Sequence, residues 1–229
     1  MTDSDRTGTL KVWDLPLRLF HWLLVLTVFL AFLSSESGSP IAAWHMAAGW
    51  CAAVLLAFRL VWGFVGGEHA RFPRFVRPSA ILSHVNDMLT ERSERSIGHN
   101  PLGGIAVLAL LGLTGIVLWS GISVAGGRMD EDLHEAYAYC LLALIGLHIF
   151  AVVLMSFLTR ENLVRAMISG RKKASLHPSA RDARRPGIIA LLLGAAAIIL
   201  TVVAVLRYDP SAFGPQLRDE THEQHGDRE

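Results

Sequence analysis

Two histidines lie inside one long apolar stretch of the chain, Leu133–Leu158 (LHEAYAYCLLALIGLHIFAVVLMSFL). As an α-helix, a stretch of this length can cross a hydrocarbon core of about 30 Å. His134 and His148 are fourteen residues apart. That spacing corresponds to about 21 Å of helical rise and to nearly a whole number of turns. Their imidazoles therefore leave almost the same face of the helix at two depths in the membrane.

Histidines in this arrangement predict a metal-binding chemistry. An ionisable side chain inside a membrane is costly, which makes it a candidate functional residue. Neutral imidazole is an axial ligand of haem iron. Two imidazoles at two depths therefore predict two stacked haems that form an electron path across the lipid. The sequence has no CxxCH motif, so we do not expect covalent, c-type attachment.

Composition indicates a helical membrane protein. The chain has 229 residues, of which 52% are hydrophobic, and its mean hydropathy is +0.41. We predict an all-α membrane protein, in which a four-helix haem-binding transmembrane bundle is followed by a fifth C-terminal transmembrane helix. The predicted spans are 17–33, 41–64, 102–119, 133–158 and 187–206. We assign residues 1–173 to the di-haem domain and 174–229 to a connector, the fifth helix and a polar tail.

The segments between the spans differ in character. The polar stretch Gly66–Asn100 is rich in arginine, and Pro78–Thr90 within it has the apolar spacing of a short amphipathic surface helix. We expect a loop at Ser120–Asp132, a basic connector at Thr159–Pro186, and a disordered tail from Arg207 to Glu229. Two cysteines, Cys51 and Cys140, fall in apolar runs, and we expect both to be small core residues.

Charge distribution predicts the orientation. Cytoplasmic segments of membrane proteins carry an excess of lysine and arginine. With the N-terminus inside, the arginine-rich stretch and the basic connector are cytoplasmic, whereas the first external loop has no Lys or Arg and the second has only Arg128. We therefore predict a multi-pass protein of the bacterial inner membrane with a cytoplasmic N-terminus and a periplasmic C-terminus.

This orientation predicts which histidines meet. His45 and His134 fall near the outer surface, and we call them the outer pair. His21 and His148 fall toward the cytoplasm, and we call them the inner pair. Four histidines at two levels on three helices are what two bis-histidine b-type haems require. We predict these four residues as the iron ligands.

Three further residues fit the same sites. Arg59 lies fourteen residues after His45, so it should face the same way one level further in, where a haem propionate would neutralise it. Arg18, one turn before His21, is a weaker candidate for such a contact. Gly49, four residues after His45, leaves flat space beside the ring, as a macrocycle needs.

Several ordered motifs resemble a known family. These are VWDLPLRLFHW, WHMAAGW with FRLVWGFVG, GHNPLGG, LHEAYAY with LHIF, and RENLVRAMISGRK, spread over Val12–Lys173. They resemble the bacterial cytochrome b-561 and nickel-hydrogenase cytochrome b group. The resemblance implies an integral membrane cytochrome with two b-type haems, ligated at His21, His45, His134 and His148. It also implies electron exchange between the quinone pool and a redox partner.

The functional hypothesis is an inner-membrane respiratory cytochrome b that carries electrons between the quinone pool and a periplasmic c-type cytochrome or similar partner. It could also act on quinone as an oxidoreductase. The alternative is a haem-bearing membrane anchor subunit of a hydrogenase or another oxidoreductase. An alternative of a different class is a metal-ion transporter, although transport usually needs intramembrane carboxylates. We expect contact with membrane lipid and no nucleic-acid partner.

Overall fold

The structure of the protein is a computed structural model that describes residues 8–36, 38–75, 98, 101–177 and 180–216. Five of its helices are long and apolar enough to cross a membrane. They are α1 (Leu15–Leu33), α2 (His45–Val65), α4 (Pro101–Ala125), α5 (Glu131–Thr159) and α7 (Ile188–Tyr208). Two short helices are α3 (Phe72–Phe75) and α6 (Leu163–Ser169). The predicted all-α membrane architecture with a fifth C-terminal span is confirmed.

The apolar side chains of the long helices point outward to an unusual extent. On α5, Leu147 and Phe150 are each 61% exposed, and Phe157 is 77% exposed. A water-soluble protein rarely exposes apolar surface of this extent, whereas a helix that faces lipid exposes it without cost. The protein is therefore a multi-pass membrane protein.

The helix α2 lies at the centre of the bundle. It packs along α1 on one side and α7 on another, and it contacts α4 more lightly; α5 packs mainly along α4. The close approach of α7 depends on Gly194, since a Cβ there would lie 3.1 Å from the Phe58 ring and 3.2 Å from the Trp62 ring. The fifth helix is thus packed against the centre of the bundle.

Asp14 fixes the angle between α1 and α2. As the N-cap of α1, its carboxylate accepts a hydrogen bond from the Leu17 amide at 2.8 Å. The same carboxylate accepts the Trp62 indole N–H at 3.1 Å and the Gly67 amide at 3.2 Å. The chain can pass this close because residue 67 has no side chain; a Cβ there would lie 2.2 Å from Asp14 Oδ2.

A small sheet joins the N-terminus to the connector after α5. The strand β1 (Thr9–Lys11) pairs antiparallel with β2 (Arg171–Lys173), with Leu10 opposite Lys172. Below it, the buried carboxylate of Glu161 contacts Lys172 Nζ at 2.9 Å and His177 Nε2 at 3.2 Å. The sequence analysis did not anticipate this sheet, which closes the N-terminal end of the bundle.

Glu68 attaches the loop after α2 to the connector. Its carboxylate accepts the Arg184 amide at 3.0 Å and contacts Arg181 at 3.0 Å and Arg74 at 2.8 Å. The Arg184 hydrogen bond is the main reason that the pKa of Glu68 falls to about 2, and the charges of Arg181 and Arg74 lower it further.

Three expectations need correction. Cys51 and Cys140 are exposed on the helix surfaces rather than buried, because an apolar run in a membrane protein covers both lipid-facing and core positions. Residues 120–125 are the last part of α4, not a loop. Residues 207–216, the first part of the predicted disordered tail, are ordered, and α7 continues to Tyr208. Asp209 accepts a hydrogen bond from the Trp50 indole N–H at 3.1 Å, and the Gln216 backbone amide donates to the Ala43 carbonyl at 2.7 Å.

The predicted amphipathic helix at Pro78–Thr90 and the remainder of the predicted tail, 217–229, lie outside the described residues.

Candidate functional site

The outer pair of histidines meets across the bundle. His45 is the first residue of α2, and His134 lies in the first turn of α5. Both side chains are half-buried. Their ring centroids are 6.2 Å apart, and the ring planes are nearly perpendicular at 86°. Two residues that are distant in the sequence thus present imidazoles to each other at one end of the bundle.

Hydrogen bonds determine which nitrogen of each ring carries the proton. His45 Nδ1 lies 2.9 Å from the Ala31 carbonyl oxygen, which can only accept, so this nitrogen carries the proton. His134 Nδ1 lies 2.9 Å from Ser120 Oγ, and that hydroxyl donates its own hydrogen to the Val117 carbonyl at 2.9 Å. The Ser120 oxygen therefore accepts from His134 Nδ1. In each neutral ring Nε2 is left with a free lone pair, the form that binds a metal.

The geometry of the outer pair fits axial ligation of a single iron. Bonds from a metal to imidazole nitrogen are about 2.0 Å long, so two rings on opposite sides of a metal have centroids about 6 Å apart. The space beside the pair is open at Gly49: apart from its chain neighbours and its own helix backbone, no heavy atom of the described residues lies within 4 Å of the position that a Cβ would take. Both observations match a flat macrocycle held between two imidazoles.

The inner pair is arranged more loosely. His21 lies on α1 and His148 on α5, and both side chains are half-buried. The His21 ring also meets Trp22 edge to face, with centroids 5.2 Å apart. All four predicted ligands thus lie on three helices, and the outer pair is the one in direct ring contact.

Arg59 is buried near the N-terminal end of the bundle, with only 2% of its surface exposed. Its Nη2 donates to the Ala70 carbonyl at 3.2 Å, and its guanidinium lies over the Phe72 ring at 4.5 Å. The other terminal nitrogen, Nη1, is buried and has no hydrogen-bond partner in the described part of the chain. A buried donor of this kind is costly unless an acceptor satisfies it.

Arg18 has a structural partner. Its guanidinium donates to the Ile168 carbonyl in the last turn of α6, where cations stabilise the exposed carbonyls of a helix end. The structure thus connects Arg18 to α6. Its buried Nε has no hydrogen-bond partner among the residues that the structure describes, and its contact with a propionate stays a prediction.

Sequence reasoning missed three residues that surround the outer pair. Ser120 and Gly121 contact His134, and Ser34 Oγ lies 3.5 Å from His45 Nδ1. Serine in an apolar helix commonly bonds to its own backbone, so the sequence contains no signal that distinguishes these serines from others. The role of Ser120 and Gly121 follows only from the packing of α4 against α5, and that of Ser34 from the packing of α1 against α2.

Comparison with known proteins identifies the family. The model of the prokaryotic cytochrome b561 family matches residues 12–170, which is more than half of the chain. The chain belongs to the prokaryotic cytochrome b561 family. As a family member it is a membrane cytochrome b of electron transport, and the family implies b-type haem.

Curated relatives in this cytochrome family have related names. A protein of Rhizobium leguminosarum bv. viciae is 24% identical, over 70% of this chain and 87% of the relative. A protein of Azotobacter vinelandii is 24% identical, over 69% of this chain and 86% of the relative. Both are called probable Ni/Fe-hydrogenase B-type cytochrome subunit. A protein of Escherichia coli K12, called probable Ni/Fe-hydrogenase 1 B-type cytochrome subunit, is 23% identical, over 73% of this chain and 92% of the relative. No solved structure matches the chain significantly.

Proposed function

We propose that this cytochrome holds two b-type haems and passes electrons between a quinone and a hydrogenase-type oxidoreductase. His45 and His134 would bind the outer haem, and His21 and His148 the inner one. The observation that carries the proposal is the outer pair, whose rings lie 6.2 Å apart with both Nδ1 atoms hydrogen-bonded. A purely structural pair of histidines has no need of this spacing or of two free Nε2 atoms.

The relatives favour one of the two partners considered from the sequence. The three described above are named as hydrogenase B-type cytochrome subunits. This supports a stable complex with a hydrogenase more strongly than diffusive exchange with a periplasmic c-type cytochrome. We propose quinone as the other partner, because the helices lie in the lipid in which quinones dissolve.

The residues of the chain would orient and insulate the haems. When bound, haem supplies an iron that changes oxidation state by one electron. Two histidines would hold each iron and leave it to exchange electrons rather than to bind oxygen. Arg59 Nη1, which is buried and meets no hydrogen-bond acceptor among the described residues, would donate to a propionate. The apolar helix surfaces would keep water from the electron path.

We also propose the bacterial inner membrane as the location, with the N-terminus cytoplasmic and the C-terminus periplasmic. The support is the concentration of basic residues at the N-terminal end of the bundle, on α3 and on the connector that carries α6 and β2. In this orientation the outer pair lies near the periplasm, where a hydrogenase outside the membrane would meet it.

A haem count tests the proposal directly. The protein is purified in detergent, and its reduced-minus-oxidised spectrum and pyridine haemochrome content are recorded. We expect two low-spin b-type haems per chain. The control is His69→Ala, which removes a loop histidine outside both pairs and should leave the count at two. A count of one would contradict the two-site arrangement, and a count of zero would contradict haem binding altogether.

A further inference from the structure

The helix α4 carries none of the predicted ligands, yet it holds one of them. Ser120 on α4 is fully buried, with 0% of its surface exposed. Its hydroxyl makes two contacts, donating to the Val117 carbonyl and accepting from His134 Nδ1, each at 2.9 Å. A buried serine in an apolar helix can satisfy itself on its own backbone, so the bond to the imidazole is an additional, tertiary contact.

The next residue completes the contact. A Cβ at Gly121 would lie 3.1 Å from His134 Cε1, tighter than ordinary van der Waals contact. The absence of a side chain therefore lets the ring lie against α4 while Ser120 bonds its Nδ1. Ser120 and Gly121 together hold the His134 ring against α4.

The two rings of the outer pair are held in different ways. His45 Nδ1 bonds to a backbone carbonyl, that of Ala31, which is present whatever side chain occupies position 31. His134 Nδ1 bonds to a side-chain hydroxyl, that of Ser120, which lies beside the Val117 carbonyl. An acceptor on Nδ1–H fixes the ring orientation and makes Nε2 a stronger electron donor to a bound metal. A substitution at residue 120 can therefore adjust the outer iron without altering a ligand.

We propose that Ser120 is a positioning residue for the outer haem: through His134 it orients the imidazole and lowers the redox potential of the iron, with Gly121 providing the space. This rests on the proposed function, because it requires His134 to ligate iron. A stronger donor stabilises the oxidised iron more than the reduced iron. Loss of the hydroxyl should therefore raise the potential of the outer haem and leave the inner haem unchanged.

The primary test is Ser120→Ala in the full-length, haem-loaded protein. The matched control is Ser123→Ala on the same helix: Ser123 is also buried, at 6% exposed, and its hydroxyl bonds to the Trp119 carbonyl at 2.8 Å. Redox titration of the visible spectrum gives the two potentials, and the low-spin EPR signals report the ring orientations. We expect an upward shift and an altered signal for one haem in Ser120→Ala, and wild-type values in Ser123→Ala.

Haem retention gives a second readout. Removing a residue that supports a metal ligand typically weakens metal binding about 10–100-fold. During incubation with excess apomyoglobin, Ser120→Ala should release one of its two haems faster than the wild type does. Gly121→Ala should act in the same direction, because its methyl group would press on the ring that Ser120 holds.

Each alternative outcome is decisive. Unchanged potentials and EPR signals in Ser120→Ala would overturn the proposal, as would equal perturbation of both haems. If Ser120→Ala does not accumulate, Ser120→Cys keeps a side chain of similar size with a weaker acceptor, and wild-type potentials in that variant would also overturn it. Failure of haem binding in the wild type is a separate result, and it would contradict the proposed function itself.

Discussion

At the scale of single residues, the outer pair explains why histidine recurs at particular positions in the apolar helices. His45 and His134 lie in the first turns of two different helices, and each has a hydrogen-bond acceptor on Nδ1. Neither residue could be identified as a ligand by its own surroundings alone. Their mutual distance of 6.2 Å between ring centroids is what fits the pair to one metal.

We predict that His45→Ala and His134→Ala each remove the same haem, so that each variant keeps about half of the wild-type haem. Loss of either axial imidazole opens that iron, whereas the inner pair retains both of its ligands. Redox titration and EPR of the two variants should give matching spectra of the remaining inner haem. His148→Ala should instead lose the inner haem and keep the outer one. A match between His45→Ala and His148→Ala would show that the pairing is incorrect.

At the scale of helices and connectors, polar contacts at the helix ends determine the geometry of the apolar bundle. Lipid-facing surfaces give little direction to packing, since lipid tails are as apolar as the side chains. The Asp14 carboxylate, the Glu68 contacts and the β1–β2 sheet all lie at the N-terminal end. These contacts connect segments whose relative positions hydropathy does not predict.

Asp14→Ala should destabilise the contact between α1 and α2. The loss of an N-cap costs about 1 kcal/mol, and the unpaired Trp62 indole N–H adds about 1–3 kcal/mol. We expect a lower midpoint when thermal unfolding is followed by haem absorbance in detergent. The control is Asp132→Ala, an exposed acidic residue in the first turn of α5. Equal midpoints for the two variants would contradict this role of Asp14.

The Glu68 contacts should depend on pH in a defined direction. The pKa of Glu68 in the folded protein is about 2, below its ordinary value of 4.5. Its contribution is therefore complete above about pH 4.5 and is lost as the pH falls toward 2. Arg181 and Arg74 are more than half exposed, so the ion pairs themselves contribute at most about 1 kcal/mol.

Hydrogen exchange of residues 180–187, corrected for the intrinsic effect of pH, measures this loss. We expect protection to be the same at pH 7 and pH 5 and to decrease below pH 4. Glu68→Gln should already exchange faster at pH 7, and the control Glu135→Gln, at an exposed position of α5, should behave as the wild type. Protection that decreases between pH 7 and pH 5 would assign the effect to another group.

At the scale of the whole molecule, the identity of the protein partner, a hydrogenase or a c-type cytochrome, determines where the electrons come from or go. We predict that the tagged chain, solubilised from its native membranes in mild detergent, co-purifies with hydrogenase subunits. We also predict that hydrogen gas reduces its haems in isolated membranes. The control is a strain that lacks the hydrogenase, where hydrogen should have no effect. If reduced c-type cytochrome reduces the haems and hydrogen does not, the diffusive partner would be the correct one.

The sequence by itself determined the helices and the positions of the histidines. Hydropathy and helical periodicity are local properties, so the five spans and the fourteen-residue spacing of His134 and His148 follow from neighbouring residues alone. The charges of the connectors predicted the orientation of the helices and therefore the depth of each histidine in the membrane. Together these were sufficient to place His45 opposite His134, although helix ends such as 120–125 were missed because hydropathy declines before the helical hydrogen bonds end.

Only the tertiary structure decided how the histidines are held and how the ends of the bundle close. The hydrogen bond that His134 donates to Ser120 joins two helices, and the sheet joins Thr9 to Lys173. Such contacts depend on the rotation and separation of packed helices, and no local pattern encodes these. For the same reason, the exposure of Cys51 and Cys140 and the packing of α7 against α2 became apparent only in the folded chain.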